Sequence, residues 1–202
     1  SAPGFRGNDH ANVMLPLYWL PLYRDFPEFW DYGARYDQHL CSDGFVFRDN
    51  ETCLAIYSDK HDPTWERTAK EIARFSEKDA DLWLRLKKLD ACDEFLRVTV
   101  DNVHLPPEVA MSPAALERQM ALYPKLVDAG VAPDGLILQA SPLRAAREFF
   151  ESQELQSCVL RFLLTGSYDV NDSGLGAMSL LIATQLPLIG FARGGTHQVA
   201  HA

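Results

Sequence analysis

No charged side chain occurs between Ser173 and Ala192, and this run leads directly into Arg193-Gly194-Gly195. It is about as long as a membrane span, but Gln185, Pro187 and the glycines at 174, 176 and 190 make it poor spanning material. A packed helix followed by a buried strand over 187–192 is the reading these residues favour, with a lipid-facing or substrate-facing surface as the sharper alternative. Paired glycines between a strand and a helix allow positive φ and close approach of the backbone to something bulky. Thr196 is placed to cap a helix from its own position onward, with N–H groups pointing outward. Only one turn of that helix is present, so the sequence reads as a piece of something larger. Ser1 in place of an initiator Met, with no signal-peptide pattern after it, points the same way.

Composition narrows the partners. With 47% hydrophobic residues over 202, the chain can bury a sizeable core as one domain. A net charge of -9 leaves no basic stripe to neutralise phosphates, which argues against nucleic acid. The same balance disfavours electrostatic docking on anionic lipid. Cys41, Cys53, Cys92 and Cys158 are widely spaced with no CxxC pair. They read as reduced thiols of a cytoplasmic protein, and not as a disulfide or zinc framework.

The first thirty residues are rich in aromatics and prolines, with Leu15, Leu17, Trp19, Leu20 and Leu22 seeking burial. Strands are expected at 35–40, 44–48 and 53–57, joined by polar turns into an antiparallel meander. Asp62-Pro63-Thr64 then opens a helix, with Asp62 as cap and Pro63 at the first helical position. Ser76 restarts the pattern, with Ala80, Trp83, Leu84, Leu86 and Leu89 at helical spacing and Phe95 and Leu96 beyond. Ser112-Pro113 begins a helix to about 129, strained by Pro124 and stopped by Gly130. Ser141-Pro142 begins another, and 148–164 continues helical.

Several chemical constellations fail on their context. Gly174-Leu-Gly176 follows a polar turn and not a strand, lacks the third glycine, and has no acidic residue about twenty positions on; a small-residue helix contact is the better reading. His197 and His201 share a helix face without a third ligand, so no metal site is expected. Gly166-Ser167-Tyr168 lacks the second glycine of a nucleophile elbow. The carboxylates of Asp79/Asp81 and Asp93/Glu94 lie among lysines and arginines and read as surface groups. No catalytic residue stands out.

Three segments carry a family likeness. Ala2-Pro-Gly-Phe-Arg-Gly-Asn-Asp-His10, Phe75-Ser-Glu-Lys-Asp-Ala80 and Gly190-Phe-Ala-Arg-Gly-Gly195 stand in the order of three motifs of the phytoene-desaturase-like flavoproteins. The chain resembles the central part of that family, which includes carotenoid desaturases, saturases and bacterial-type beta-carotene ketolases. Ala192 stands where the family often has proline. The family's N-terminal GxGxxG strand and C-terminal flavin-contacting segment are absent.

The resemblance implies an α+β fold, an antiparallel or mixed sheet covered on one face by helices, with 1–202 as the substrate-binding domain and 187–202 the start of the return into a flavin domain. It implies FAD in the full-length parent, approached by Gly194 and Gly195, and none bound to this piece. The implied substrate is an apolar polyene, and the implied activity beta-carotene ketolation first, desaturation or saturation second. Phe149, Leu155, Phe162, Met178 and Leu181 are the candidate lining of its slot. A cofactor-free module binding an apolar ligand or a partner is the competing class. Peripheral membrane contact and a homodimer through exposed interdomain surface remain open alternatives.

Overall fold

Short helices pack around two small antiparallel ladders, because few stretches of the chain keep one hydrophobic period for long. The computed structural model describes residues 13, 15–48, 51–89, 94, 96–98, 100, 105–132, 139–165 and 168–201. Residues 2–10, Cys92, Asp93, Phe95, Gly166 and Ser167 lie outside these. In chain order the elements are α1 (Pro16–Asp25), a 3₁₀ turn (Pro27–Trp30), β1 (Tyr36–Asp37), β2 (Cys41–Phe47), β3 (Thr52–Tyr57), α2 (Glu66–Ala73) and α3 (Glu77–Lys88). Then come α4 (Pro107–Ala110), α5 (Pro113–Met120), α6 (Tyr123–Asp128), α7 (Pro142–Phe149), α8 (Gln153–Thr165) and α9 (Ala177–Gln185). A 3₁₀ turn (Leu186–Leu188), β4 (Phe191–Ala192) and α10 (His197–His201) follow. The described residues within 94–100 are also helical. The chain is thus mixed helix and strand, and among the described residues both ladders are antiparallel.

The expected three-stranded meander is instead a hairpin plus a distant pair. β2 and β3 form the hairpin, with Phe45 opposite Leu54 and Gly44 opposite Ala55. Phe45, Leu54 and Ile56 face the core while Val46 is exposed, which is the period-two alternation of a one-sided sheet. The segment 35–40 is a strand only at Tyr36–Asp37, and it pairs with Phe191–Ala192. The Asp37 carboxylate accepts the Gln38 N–H, and Ser58 reaches back to the carbonyls of His39 and Leu40. The bond to Leu40 continues the hairpin one position beyond Cys41 and Tyr57, while Tyr36–Asp37 pairs elsewhere.

Two helix boundaries also move. α2 starts at Glu66, so Pro63 lies before the helix. Trp65, at φ 59°, takes the N-cap position in place of Asp62, whose carboxylate still accepts the N–H groups of Arg67 (3.1 Å) and Thr68 (2.8 Å). Thr68 Oγ1 donates to the same carboxylate and accepts the N–H of Tyr57, tying α2 to β3. The expected helix across 148–164 is broken after Phe149, where Phe150 is extended at ψ 137°. The cause is Asp79, which is fully buried and not a surface carboxylate. It accepts the N–H groups of Glu151 (2.7 Å) and Ser152 (2.8 Å) and the Ser152 hydroxyl (2.6 Å).

The main core gathers the inner face of the hairpin, α2, α3, α7, α8 and α9, with Trp83, Phe150, Leu155 and Leu180 among its fully buried members. Trp65 and Trp83 meet with their rings tilted by 38° and 5.0 Å between centres. The run 179–187 is buried throughout, as an uncharged helix must be if it is surrounded by protein. Ser179 Oγ donates to the Pro142 carbonyl, so its one early polar side chain is satisfied. Among the described residues no helix is long and apolar enough to cross a membrane.

Candidate functional site

α1 is amphipathic in two directions, and each direction has its own partner. Trp19 and Tyr23, four residues apart, turn towards Tyr36, with ring centres 4.5 and 5.1 Å from it. The Trp19 indole N–H donates to the Leu188 carbonyl (3.2 Å). Leu20 and Arg24, also four apart, face the described helical residues of 94–100, where Leu96 and Val100 present the same spacing back. Between these two surfaces lies a cavity of about 330 Å³, lined by Leu20, Arg24, Leu96, Arg97 and Val100. Its walls are apolar, and both polar side chains among the described lining residues are guanidinium groups.

Beneath it, Leu96 and Val100 form a small apolar cluster with Leu181 of α9, and Leu20, Met178 and Leu188 pack against that cluster. Arg24 is exposed and bonded to Asp25 at 2.8 Å. Arg97 is exposed as well, and Glu94 one turn before it pairs with Lys125 at 2.9 Å. A volume of this size lies at the lower end for small-molecule sites, which are apolar with few polar groups that fix orientation.

The five side chains expected to line a slot do not share one cavity. Met178 and Leu181 lie in or against the cluster under the larger cavity. Phe149 lines a separate cavity of about 110 Å³ with Lys78, Leu82, Arg85, Gly130, Val131 and Glu148. Leu155 is fully buried in the main core, and Phe162 packs half-buried against it, with the Arg161 guanidinium 5.4 Å from its ring centre. Sequence reading passed over Arg24, Arg97 and Val100. The i,i+4 spacings Leu20/Arg24 and Leu96/Val100 were the available signal, but nothing local says that the two faces meet.

The glycine turn takes a definite shape. Gly194 and Gly195 have φ of 78° and 95°. The expected buried strand over 187–192 contracts to half-buried Phe191–Ala192, because Leu186–Leu188 forms a 3₁₀ turn. The Pro187 carbonyl there accepts the Asp59 N–H (2.8 Å) and Gln38 Nε2–H (3.2 Å). The Gly195 N–H donates to the Ala192 carbonyl (3.1 Å), so it closes the turn. Arg193 anchors the turn to β1, its N–H on the Arg35 carbonyl (2.7 Å) and its guanidinium on Asp37 (2.9 Å). Lys60 also bonds Asp37, and these two cations, Lys60 first, hold the Asp37 carboxyl down to about 2.

Among the described residues no three or more His, Cys, Asp or Glu side chains cluster as metal ligands would. The His197 and His201 rings meet edge to face at 5.9 Å. Cys158 is buried, and desolvation pushes its thiol well above the ordinary range. Comparison with protein-family models, curated proteins and solved structures finds no match to this chain.

Proposed function

We propose that this chain is the substrate-binding part of an FAD-dependent oxidoreductase acting on an apolar polyene, with beta-carotene ketolation first and desaturation or saturation second. The observation that carries ligand binding is the apolar cavity between α1 and the stretch 94–100. The flavin half of the proposal rests on the motif resemblance. In such a division of labour the flavin supplies the redox chemistry, and this chain supplies position and a dry pocket. Gly194 and Gly195 are then the residues whose backbone lies near FAD in the parent.

One observation favours a second reading, a cofactor-free module that binds an apolar ligand. The Gly195 N–H is already used within its turn, donating to the Ala192 carbonyl at 3.1 Å. That takes one backbone donor of the glycine turn away from a cofactor.

The test uses the full-length parent and its Leu20→Trp variant, which fills the cavity. Bound flavin is measured by absorbance and polyene conversion by chromatography. The expected result is stoichiometric flavin in both proteins and conversion lost in the variant. A parent without flavin that still binds the polyene supports the module reading. Unchanged conversion by Leu20→Trp rules out the cavity as the substrate site.

A further inference from the structure

Among the described residues, the polar side chains that line the larger cavity are both arginines, in a chain whose net charge is -9. An apolar wall alone accepts any hydrocarbon. A guanidinium adds a planar fork of donors that matches a carboxylate and gives a pure hydrocarbon nothing. We propose that this cavity binds the end of an apolar chain that terminates in a carboxylate, held by Arg97 with Arg24 beside it. The inference rests on reading the cavity as a ligand site and goes beyond the polyene reading, since beta-carotene carries no carboxylate; it holds whether or not the parent carries a flavin.

The size sets the length of the buried part. A water molecule's share of the liquid is about 30 Å³ and a methylene is similar in bulk, so the cavity takes roughly ten chain carbons. Those carbons lie against Leu20, Leu96 and Val100, over Leu181. Arg97 is exposed and sits between Leu96 and Val100 in sequence, so its guanidinium can meet a carboxylate at the water boundary while the chain stays dry. Arg24 already bonds Asp25 at 2.8 Å and contributes as a shared cation, which makes Arg97 the main head-group contact. The neighbouring acid Glu94 is occupied by Lys125 (2.9 Å). A long polyene acid would place its acidic end here, and so would a medium-chain fatty acid.

Isothermal titration of the purified chain with decanoate and with 1-decanol tests this, both kept below aggregation. Decanoate is expected to bind at least about tenfold tighter than decanol, the size of one charge-assisted hydrogen bond. Arg97→Gln should remove that ratio while decanol binding stays, and added salt should weaken decanoate alone. Leu20→Trp should abolish both, with thermal melting confirming that each variant folds. Equal affinity for acid and alcohol, or an unchanged ratio in Arg97→Gln, overturns the carboxylate proposal and leaves the apolar cavity standing. Binding of neither ligand overturns both.

Discussion

The carboxylate of Asp79 holds the backbone N–H of Ser152 at 2.8 Å and its hydroxyl at 2.6 Å, across 73 positions of sequence. Asp79 thus belongs to α3 but serves the start of α8. Ser76 completes the joint: it caps α3 by accepting the Asp79 N–H (3.1 Å), and it donates to the Glu151 carboxylate (2.9 Å). The Phe-Ser-Glu-Lys-Asp-Ala segment is therefore a joint between two helices, made by its Ser76 and Asp79.

Replacing Asp79 should be among the most damaging single changes outside the apolar core. Asp79→Ala leaves the N–H groups of Glu151 and Ser152 buried without their acceptor. Hydrogen bonds to a charged group contribute about 1.5–3 kcal/mol each, and a lost helix cap costs about 1 kcal/mol. A loss of about 3–4 kcal/mol is expected in urea unfolding, with Ser152→Ala losing about 1–2 kcal/mol. The double variant should lose clearly less than the sum, because both changes break the same bonds. Additive losses would mean that the two residues act separately.

The thiols offer a second check that needs no ligand. Cys53 is exposed and Cys158 is buried, with its thiol kept protonated by desolvation. Thiolate is the reactive form, so a Cys92→Ser background should show Cys53 alkylated by iodoacetamide at pH 8 while Cys158 reacts only on unfolding. Peptide mapping by mass spectrometry reads both sites. Early modification of Cys158 would place α8 nearer to solvent than the structure does.

These relationships show what the sequence could and could not reveal. Ser76, Ser112 and Ser141 were readable as helix starts, and each hydroxyl accepts an N–H three residues ahead. The hairpin was readable too, because its alternation and its turn lie in one stretch. Asp79 was misread because its partners lie far off in sequence, and a carboxylate flanked by lysines and arginines has the local look of surface. β1 was assigned to the wrong neighbour for the same reason, since its partner Phe191–Ala192 is over 150 positions away. The cavity needs two amphipathic helical faces to meet, and neither face names the other. Of the expected slot residues, Met178 and Leu181 fall near it because α9 is apolar all round and touches both clusters.

Asp37 gives a pH prediction. Its carboxyl is lowered from an ordinary 3.8 to about 2, by Lys60 first and Arg193 second. A depressed acid stabilises the fold fully above its unfolded value, and loses that contribution as pH falls through the folded value. The window is therefore about pH 4 to 2. Carboxyl chemical shifts should titrate near 2 in the native protein. Asp37→Asn should flatten the dependence of stability on pH within that window only. A native titration near 3.8 would show that Lys60 and Arg193 do not hold this carboxylate in solution.

The last prediction concerns Gly195, where structural and functional roles compete. At φ 95° a residue with a Cβ is strained whatever space surrounds it, and the Cβ would stand 3.0 Å from Nδ1 of His197. His197 is exposed, so its ring can swing aside, but the backbone strain stays. Gly195→Ala should therefore lower stability by about 1–2 kcal/mol, and adding His197→Ala should restore only a small part. Gly195→Val costs more, because a branched side chain is worse at positive φ. In the full-length parent, the proposed nearness of this turn to FAD predicts a further effect. Flavin occupancy or polyene conversion should fall in Gly195→Val even among molecules that remain folded. Flavin content, thermal melting and turnover measured on one preparation separate the two roles. A lowered melting temperature with full flavin and full turnover in the folded fraction would make the turn structural. Arg193 and Asp37 would then account for its position, and the cofactor role of Gly194 and Gly195 would be withdrawn.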